Sequence, residues 1–485
     1  MVFCGTNSGL EISSDFPRNV NYPYQDGIFI GEPKQKLNSK NRKLQKTLAA
    51  KYLSLLTQRD SFIAGTSPVI MFTKNRSPKQ VSHDLREAET TLSVLEPSQR
   101  PELVFCPGPA QIPMSQHKID QLTYKVSLDS LSSYPLTHDL DTHWILNSKA
   151  GLARSGLPTP RSDIFDIASS PPPPSACCAS CESSASSGQS SMPESCTGPR
   201  LAWLKGESAK ILSVVSSRPV PFVFKNQQTW GGAGTWVVST AEDKQALIDD
   251  LSGRDGVLWK VLSQVTEENA HLCPAAVLLS DMVSNAVADY GITFVVGPSS
   301  ETPIFLGVSE QMIDQDSHAW VGSTINYSKQ EELKAKFREL VERTAKYVAA
   351  KGYTGPVGID VLETAEVGAT ESNNGERTKY HIVDMNVRTS GSLALPLMRG
   401  HFFEQGGLNC ASSFSVEFKG KMGGREGFVK RWKDEFERGE MVILSWYDDL
   451  DGETSVADVV VGAKEDKDLQ VLMERVREEA EEVTF

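Results

Sequence analysis

Apolar residues return every three or four positions through "SKQEELKAKFRELVERTAKYVAAKG", where Leu333, Phe337, Leu340, Val341, Ala345 and Val348 form one stripe. That period predicts a helix with its stripe against a core, opened by a capping box of Ser328 with Glu331 and stopped by Gly352. In "YHIVDMNVRTSG" the period falls to two, which predicts a strand. Val383, Met385 and Val387 share one face of it, and Asp384, Asn386 and Arg388 the other. The preceding run "GPVGIDVLE" also reads as a strand. A polar loop between the two implies an antiparallel pair that brings Asp360 beside the Asp384 row.

Elsewhere the pattern alternates strands and helices. "SPVIMF" and "PELVFCPGP" flank the helical "VSHDLREAETTLSVL", a β–α–β order that predicts a small α/β domain. "PVPFVFKNQQTWGGAGTWVVST" reads as strand, glycine loop and strand, followed by the helix "STAEDKQALIDDLS". "VLWKVLSQ" and "AAVLLSDMVSNAVADYGITFVV" read as further apolar strands. The tail from "EMVILSWYDD" to "LMERVREEAEEV" reads as strand, strand, helix.

A chain of 485 residues, 39% hydrophobic and 23% charged, has room for two or more domains and a sizeable core. Its formal net charge of −13 argues against a nucleic-acid partner, since that affinity comes from clustered Lys and Arg. The start, "MVFCGTNSGLEISSDF", has no basic region followed by an apolar run, and Asp281, Asn285 and Asp289 break the most apolar later segment. A cytoplasmic protein without a membrane partner is the expectation.

Eight cysteines without a secretory signal are expected to be free thiols. Four of them, Cys177, Cys178, Cys181 and Cys196, fall in a Ser/Pro/Gly-rich stretch at 168–199 that begins with "SSPPPP". Cys178 and Cys181 make one CxxC. Adjacent Cys177 and Cys178 suit tetrahedral ligation poorly and there is no second CxxC, so a disordered insert is expected rather than a zinc knuckle. "THDLDTH", with His138, Asp139, Asp141 and His143, fits no metal spacing and reads as a polar linker.

Asp360, Asp384 and Asn386 offer hard oxygen ligands, suited to Mg²⁺ shared with substrate phosphates, while Arg388 offers a fork for phosphate or carboxylate. Lys149 sits in the first turn of a helix opened by Asn147 or Ser148 and closed by Gly156. A cation there is disfavoured unless an anion joins it, although first-turn lysines are often merely solvated. Lys225 ends a strand, and Gly231, Gly232 and Gly234 with Thr235 form the loop after it. That loop fits a hairpin tip as well as a phosphate cradle, and it is no Walker sequence. GxSxG and HExxH are absent.

In this order the features resemble the ATP-grasp superfamily, fungal members with an N-terminal pre-ATP-grasp domain among them, from about Leu146 to the C-terminus apart from the insert. The resemblance implies an α/β protein with α+β lobes: a small Rossmann-like pre-grasp domain at 1–145 and an ATP-grasp domain at 146–485. Two lobes of the latter, 146–280 and 281–485, would clasp the nucleotide. It makes Lys149 and Lys225 the nucleotide lysines and the glycine loop a lid. Asp281, Met282 and Val283 become the adenine hinge, Asp289 the ribose partner, and Asp360, Asp384 and Asn386 the ligands of Mg²⁺, for which Mn²⁺ can substitute. Arg388 faces the transferring phosphate. Asp384 and Asp281 stand where the family more often has Glu. The implied activity is ATP-dependent, ADP-forming joining of a small-molecule carboxylate, amino acids among the candidates, to an amine through an acyl phosphate. A carboxylate–thiol ligase, a phosphotransferase and a non-catalytic ATP-binding regulator are the alternatives.

Overall fold

Short, almost wholly apolar runs make the first sheet. Phe3–Thr6 (β1), Val69–Phe72 (β2) and Leu103–Cys106 (β3) pair in parallel, and the helix Pro78–Leu92 crosses from β2 to β3. All four residues of β2 are buried, as a parallel strand covered on both faces requires. This is a computed structural model, and it describes residues 3–6, 55, 57–72, 77–125, 127, 129–187, 192–227, 234–254, 256–297, 302–313, 320–365, 370–371, 377–419, 423–448 and 454–482.

The second sheet is antiparallel. Ser162–Phe165 (β4), Phe222–Lys225 (β5), Thr235–Val238 (β6) and Val277–Asp281 (β7) lie in the order β4-β7-β5-β6. Phe222 and Phe224 of β5 join Leu204, Ile211, Leu247 and Leu262 in one core with the helices Pro199–Ser217, Ala241–Leu251 and Val257–Ser263. The last of these corrects an expectation, because "VLWKVLS" is helical, with Leu258, Trp259, Val261 and Leu262 buried. Apolar runs this short carry no periodicity that separates a strand from a buried helical turn.

A second correction concerns the segment 168–199, which is folded wherever it is described. It contains a helix, Ala179–Ser186, and sends Cys181, Met192 and Cys196 into the same core, at 1%, 6% and 0% exposure. The N–H of Met192 donates to the carbonyl of Ser263 at 2.7 Å. Composition weighed the Ser and Pro content and left out what a few buried residues can anchor.

The third sheet has nine strands. They are Ala286–Val296 (β8), Ile304–Ile313 (β9), Trp320–Asn326 (β10), Gly355–Thr364 (β11), Tyr380–Asn386 (β14), Cys410–Lys419 (β15), Met441–Asp448 (β16), Thr454–Ala463 (β17) and Glu481–Glu482 (β18). The path runs β14-β11-β8-β9-β10-β15-β17-β16, with β18 on β15, and the pairs are antiparallel. A hairpin of Thr370–Glu371 (β12) and Arg377–Thr378 (β13) lies between β11 and β14. The helix Gln330–Ala350 buries Phe337, Leu340, Val341, Ala345 and Val348 against this sheet and ends before Gly352, whose φ is +80°.

The expected capping box does not form. Lys329 is the N-cap without a side-chain bond, and the Ser328 hydroxyl donates to Asn326 instead. Gln330 anchors this end, its amide bonding both the N–H and the carbonyl of Val308. The tail forms strand, strand and helix as read, through β16, β17 and Asp466–Glu478. No helix among the described residues is long and apolar enough to cross a membrane.

A buried ion pair ties the N-terminal residues to the third sheet. Arg59, in helical residues 57–62, meets Asp458 of β17 at 2.5 Å. Ser415 and Ser445, directly opposite Asp458 on the flanking strands, both donate to its carboxylate. Replacing Asp458 by alanine leaves the Arg59 charge buried without its partner, and a loss of about 3–5 kcal/mol is expected. Chemical denaturation checks this, and a change below about 1 kcal/mol would refute it.

Candidate functional site

The site begins where β11 and β14 pair. Asp360 stands directly opposite Asp384, and Gly358 opposite Asn386. The register then slips, so that Val361 faces Ile382 and Val383 is left as a bulge. Its carbonyl accepts from Lys225 Nζ at 2.8 Å, which joins the end of β5 to the third sheet.

Lys149 arrives from the other side. Ser148 caps the short helix Lys149–Ala153 by accepting from the Gly151 N–H, and Lys149 Nζ lies 2.5 Å from Asp384 Oδ1. The Lys149 N–H donates to the Gln227 carbonyl at 3.0 Å, and the Ala150 N–H to Gln227 Oε1 at 3.1 Å. Gln227 lies two residues after Lys225, so it fixes the two lysines relative to each other. Its Nε2 is buried with no hydrogen-bond partner.

Burial and crowding set the charges. Asp360 is pushed up to about 8, first by burial and then by Asp384 and Asp289, with Lys149 and a 2.9 Å hydrogen bond from Gln311 opposing. Burial also pushes Asp384 up, but Lys149, Lys225 and Arg388 outweigh it and hold the carboxyl below its usual range. Burial raises Asp289 to about 6, and its Oδ1 has no partner. Lys225 falls to about 8 through burial and the Lys149 charge, against Asp384 and Asp360.

Two opposed carboxylates, one of them reluctant to ionise, beside an amide oxygen are a donor set that suits a hard divalent cation. The Asn386 oxygen here accepts from Arg388 Nη2 at 2.7 Å. A cation drawing on all three groups would have to displace that contact.

Lys149 and Lys225 also line a small cavity of about 20 Å³ that opens to solvent between the two larger sheets. Leu152, Leu278 and Ile382 give it apolar walls, with Thr159 and Ser280 as polar points. The Thr159 hydroxyl is buried without a partner. Asp281, Met282 and Val283 are not among its lining residues. Asp281 turns outward into an ion pair with Arg218 at 2.6 Å, and Met282 Sδ faces the Ser239 hydroxyl. Gly234, at φ +71°, closes the β5–β6 turn by accepting from the Asn226 N–H, and Thr235 pairs with Lys225. Gly231 and Gly232 lie outside the described residues.

"THDLDTH" is no solvated linker. Asp139 caps the helix Leu140–Asn147, and His138 and His143 are buried with their rings stacked 5.4 Å apart beside Tyr124. Tyr353 packs on His138 at 4.7 Å. Burial pushes His138 down to about 4, and burial, then His138 and the Arg388 charge, hold His143 well below the ordinary imidazole value, so both rings are neutral at pH 7. Polar letters implied a wet segment, whereas aromatic contact had already removed these imidazoles from water.

Two positioning residues escaped the sequence reading. Asn147 accepts from the Val387 N–H at 2.9 Å and donates to its carbonyl at 3.3 Å, setting the strand just before Arg388. Gln311 accepts from Trp320 Nε1 and Ser323 while donating to Asp360. An amide two residues before Lys149 was the one available signal, and Gln311 had none.

No family model matches the chain, and no curated protein matches it in sequence. Among solved structures it is similar to N5-carboxyaminoimidazole synthase from Aspergillus clavatus in complex with ADP and 5-aminoimidazole ribonucleotide, at 8% identity and TM-score 0.43 over 84% of this chain and 91% of that one. The L-amino acid ligase from Bacillus licheniformis matches at 9% identity and TM-score 0.47, over 86% and 98%. Biotin carboxylase from Campylobacter jejuni, in a β-γ-ATP complex, matches at 11% and 0.46, over 89% and 90%. At these values the likeness provides no residue correspondence.

Proposed function

We propose that this chain is an ATP-dependent ligase of the ATP-grasp type, which activates a carboxylate as an acyl phosphate and passes the acyl group to an amine. The observation that carries the reading is the meeting of Lys149 with Asp384, 235 residues away in sequence, while Lys225 reaches the neighbouring Val383 carbonyl. Two lysines from one lobe on the acidic strand of the other suit a triphosphate held between them. On this reading the chain divides into a pre-grasp unit at 1–145 and a grasp unit at 146–485.

The chemistry asks for positioning and charge rather than a protein nucleophile. A carboxylate oxygen attacks the γ-phosphorus, the bond to the β-phosphate oxygen breaks, and ADP leaves. The amine then attacks the acyl carbon, phosphate departs, and the amine gives up a proton. Lys149 and Lys225 hold phosphate oxygens, and Arg388 faces the transferring group. Asp360, Asp384 and Asn386 would hold magnesium, whose charge when bound supports the phosphates. Of the stacked pair, His143 is close enough to Arg388 to feel its charge.

A screen for ADP release over amino acids and simple carboxylic acids, singly and in pairs, with product masses recorded, tests this. Release that requires an acid and an amine together, with a product equal to their condensate, is expected. Tight ATP binding with no turnover on any pair would instead favour a regulatory nucleotide-binding protein. A thioester or a phosphorylated product would move the assignment to a thiol ligase or a phosphotransferase.

A further inference from the structure

The four cysteines of the 168–199 segment converge, with all four Sγ atoms within 4.8 Å of one another. We infer that Cys177, Cys178, Cys181 and Cys196 bind one structural zinc ion as a tetrathiolate site, separate from the ATP-dependent chemistry proposed above. Cys196 Sγ lies 3.6 Å from Cys177 Sγ and 3.9 Å from Cys178 Sγ. Four sulfurs about 2.3 Å from a tetrahedral zinc stand roughly 3.8 Å apart, whereas a disulfide needs about 2.05 Å. One cysteine placed alike toward two others at the tetrahedral edge length belongs to a ligand shell rather than to a bonded pair.

The local backbone explains how adjacent ligands are accommodated. Cys177 closes the 3₁₀ turn Pro174–Ala176 at φ −112°, ψ −86°, and Cys178 opens the helix Ala179–Ser186 at φ −156°, ψ 163°. The chain changes direction between them, so both sulfurs reach the same point. Cys181 follows in the first helical turn. Cys196 comes in on a turn in which its N–H donates to the Pro193 carbonyl.

Surrounding groups fit a thiolate cluster. The Arg200 N–H donates to Cys177 Sγ at 3.4 Å. Any Cβ at Gly198 would stand 2.6 Å from the Cys177 carbonyl oxygen and 2.8 Å from its sulfur, so only glycine lets the chain pass this closely. The segment is also too poor in apolar side chains to offset the entropy of ordering by burial alone. A metal staple supplies what burial lacks, and it roots the segment in the core that contains Phe222 and Phe224 of the Lys225 strand. With Cys181 and Cys196 closed from solvent and four sulfur donors in place, the site leaves no position for a substrate.

Full-length protein prepared in zinc-supplemented medium without chelators should hold one zinc per chain by elemental analysis and native mass spectrometry. A mercurial titration should release that zinc as four thiols react. Cobalt exchanged into the site should show the thiolate charge-transfer and strong visible bands of a tetrahedral sulfur site. The Cys178→Ser, Cys181→Ser double variant should lose the metal, while Cys410→Ser keeps it. Because the double variant can fail to fold, the titration and cobalt spectrum of the unaltered chain decide independently. Metal-free protein with four freely alkylated thiols, disulfides among the four, bound iron in place of zinc, or zinc retained by a folded double variant would each overturn the assignment.

Discussion

Asp384→Asn is expected to lower kcat for ADP formation by about 10³-fold, the size of effect that follows loss of a preorganised charge at a phosphoryl-transfer site. Three cations act on this carboxyl, Lys149, Lys225 and Arg388, and together they keep it ionised against burial. The amide keeps the shape and removes the charge. Folding should survive, because Lys149 also acts on Asp360 and so retains a carboxylate nearby. Asp360 in turn loses the neighbour that raised its pKa most after burial. Steady-state ADP release at saturating ATP, set beside the thermal unfolding midpoint, separates loss of chemistry from loss of fold. A folded variant that turns over within about tenfold of the parent would remove Asp384 from the reaction, since that gap is only about 1.4 kcal/mol of barrier.

The acidic strand was legible in the period of two from Asp384 to Arg388, and the antiparallel loop rule then placed Asp360 beside Asp384. The bulge breaks that period at Val383, which is half-buried and lines the lysine cavity while Ile382 joins Met385 and Val387 in the core. Lys149 and Lys225 were legible as a helix-start cation and a strand-end cation, but nothing local told how near they lie to Asp384. That distance is made by Gln227 and by the bulge at Val383, and neither has a sequence signal. Polar and small letters misled twice. "THDLDTH" and the 168–199 segment look solvated by composition, yet two imidazoles stacked on each other beside tyrosines, and Cys181 and Cys196 of the cysteine cluster, are buried without a hydrophobic period to announce them. "VLWKVLS" failed for the opposite reason, since uniform hydrophobicity hides the difference between a strand and one buried helical turn. The Asp281 hinge was placed by order along the chain. Its carboxylate answers to Arg218 across the β4–β7 edge, a contact between segments 63 residues apart.

Lys225→Met is expected to divide activity from stability. Lys225 is half-buried, its ammonium donates to a main-chain carbonyl, and burial together with Lys149 pulls its pKa down to about 8. The protein therefore maintains a cation that is only partly solvated and that a second cation opposes. A flexible apolar side chain of similar length removes both penalties, so the unfolding midpoint should stay level or rise. Turnover should fall, because the same charge is aimed at the strand that carries Asp384. A loss of about 10²–10³-fold in kcat/KM for ATP is expected, equivalent to about 3–4 kcal/mol of transition-state stabilisation. Lys149→Met should not show this split, since it leaves the Asp384 carboxylate without its 2.5 Å partner and should destabilise the fold as well. If Lys225→Met instead unfolds at a lower temperature while keeping its kcat/KM for ATP, then Lys225 is a structural rivet between the two sheets and the triphosphate must be held elsewhere.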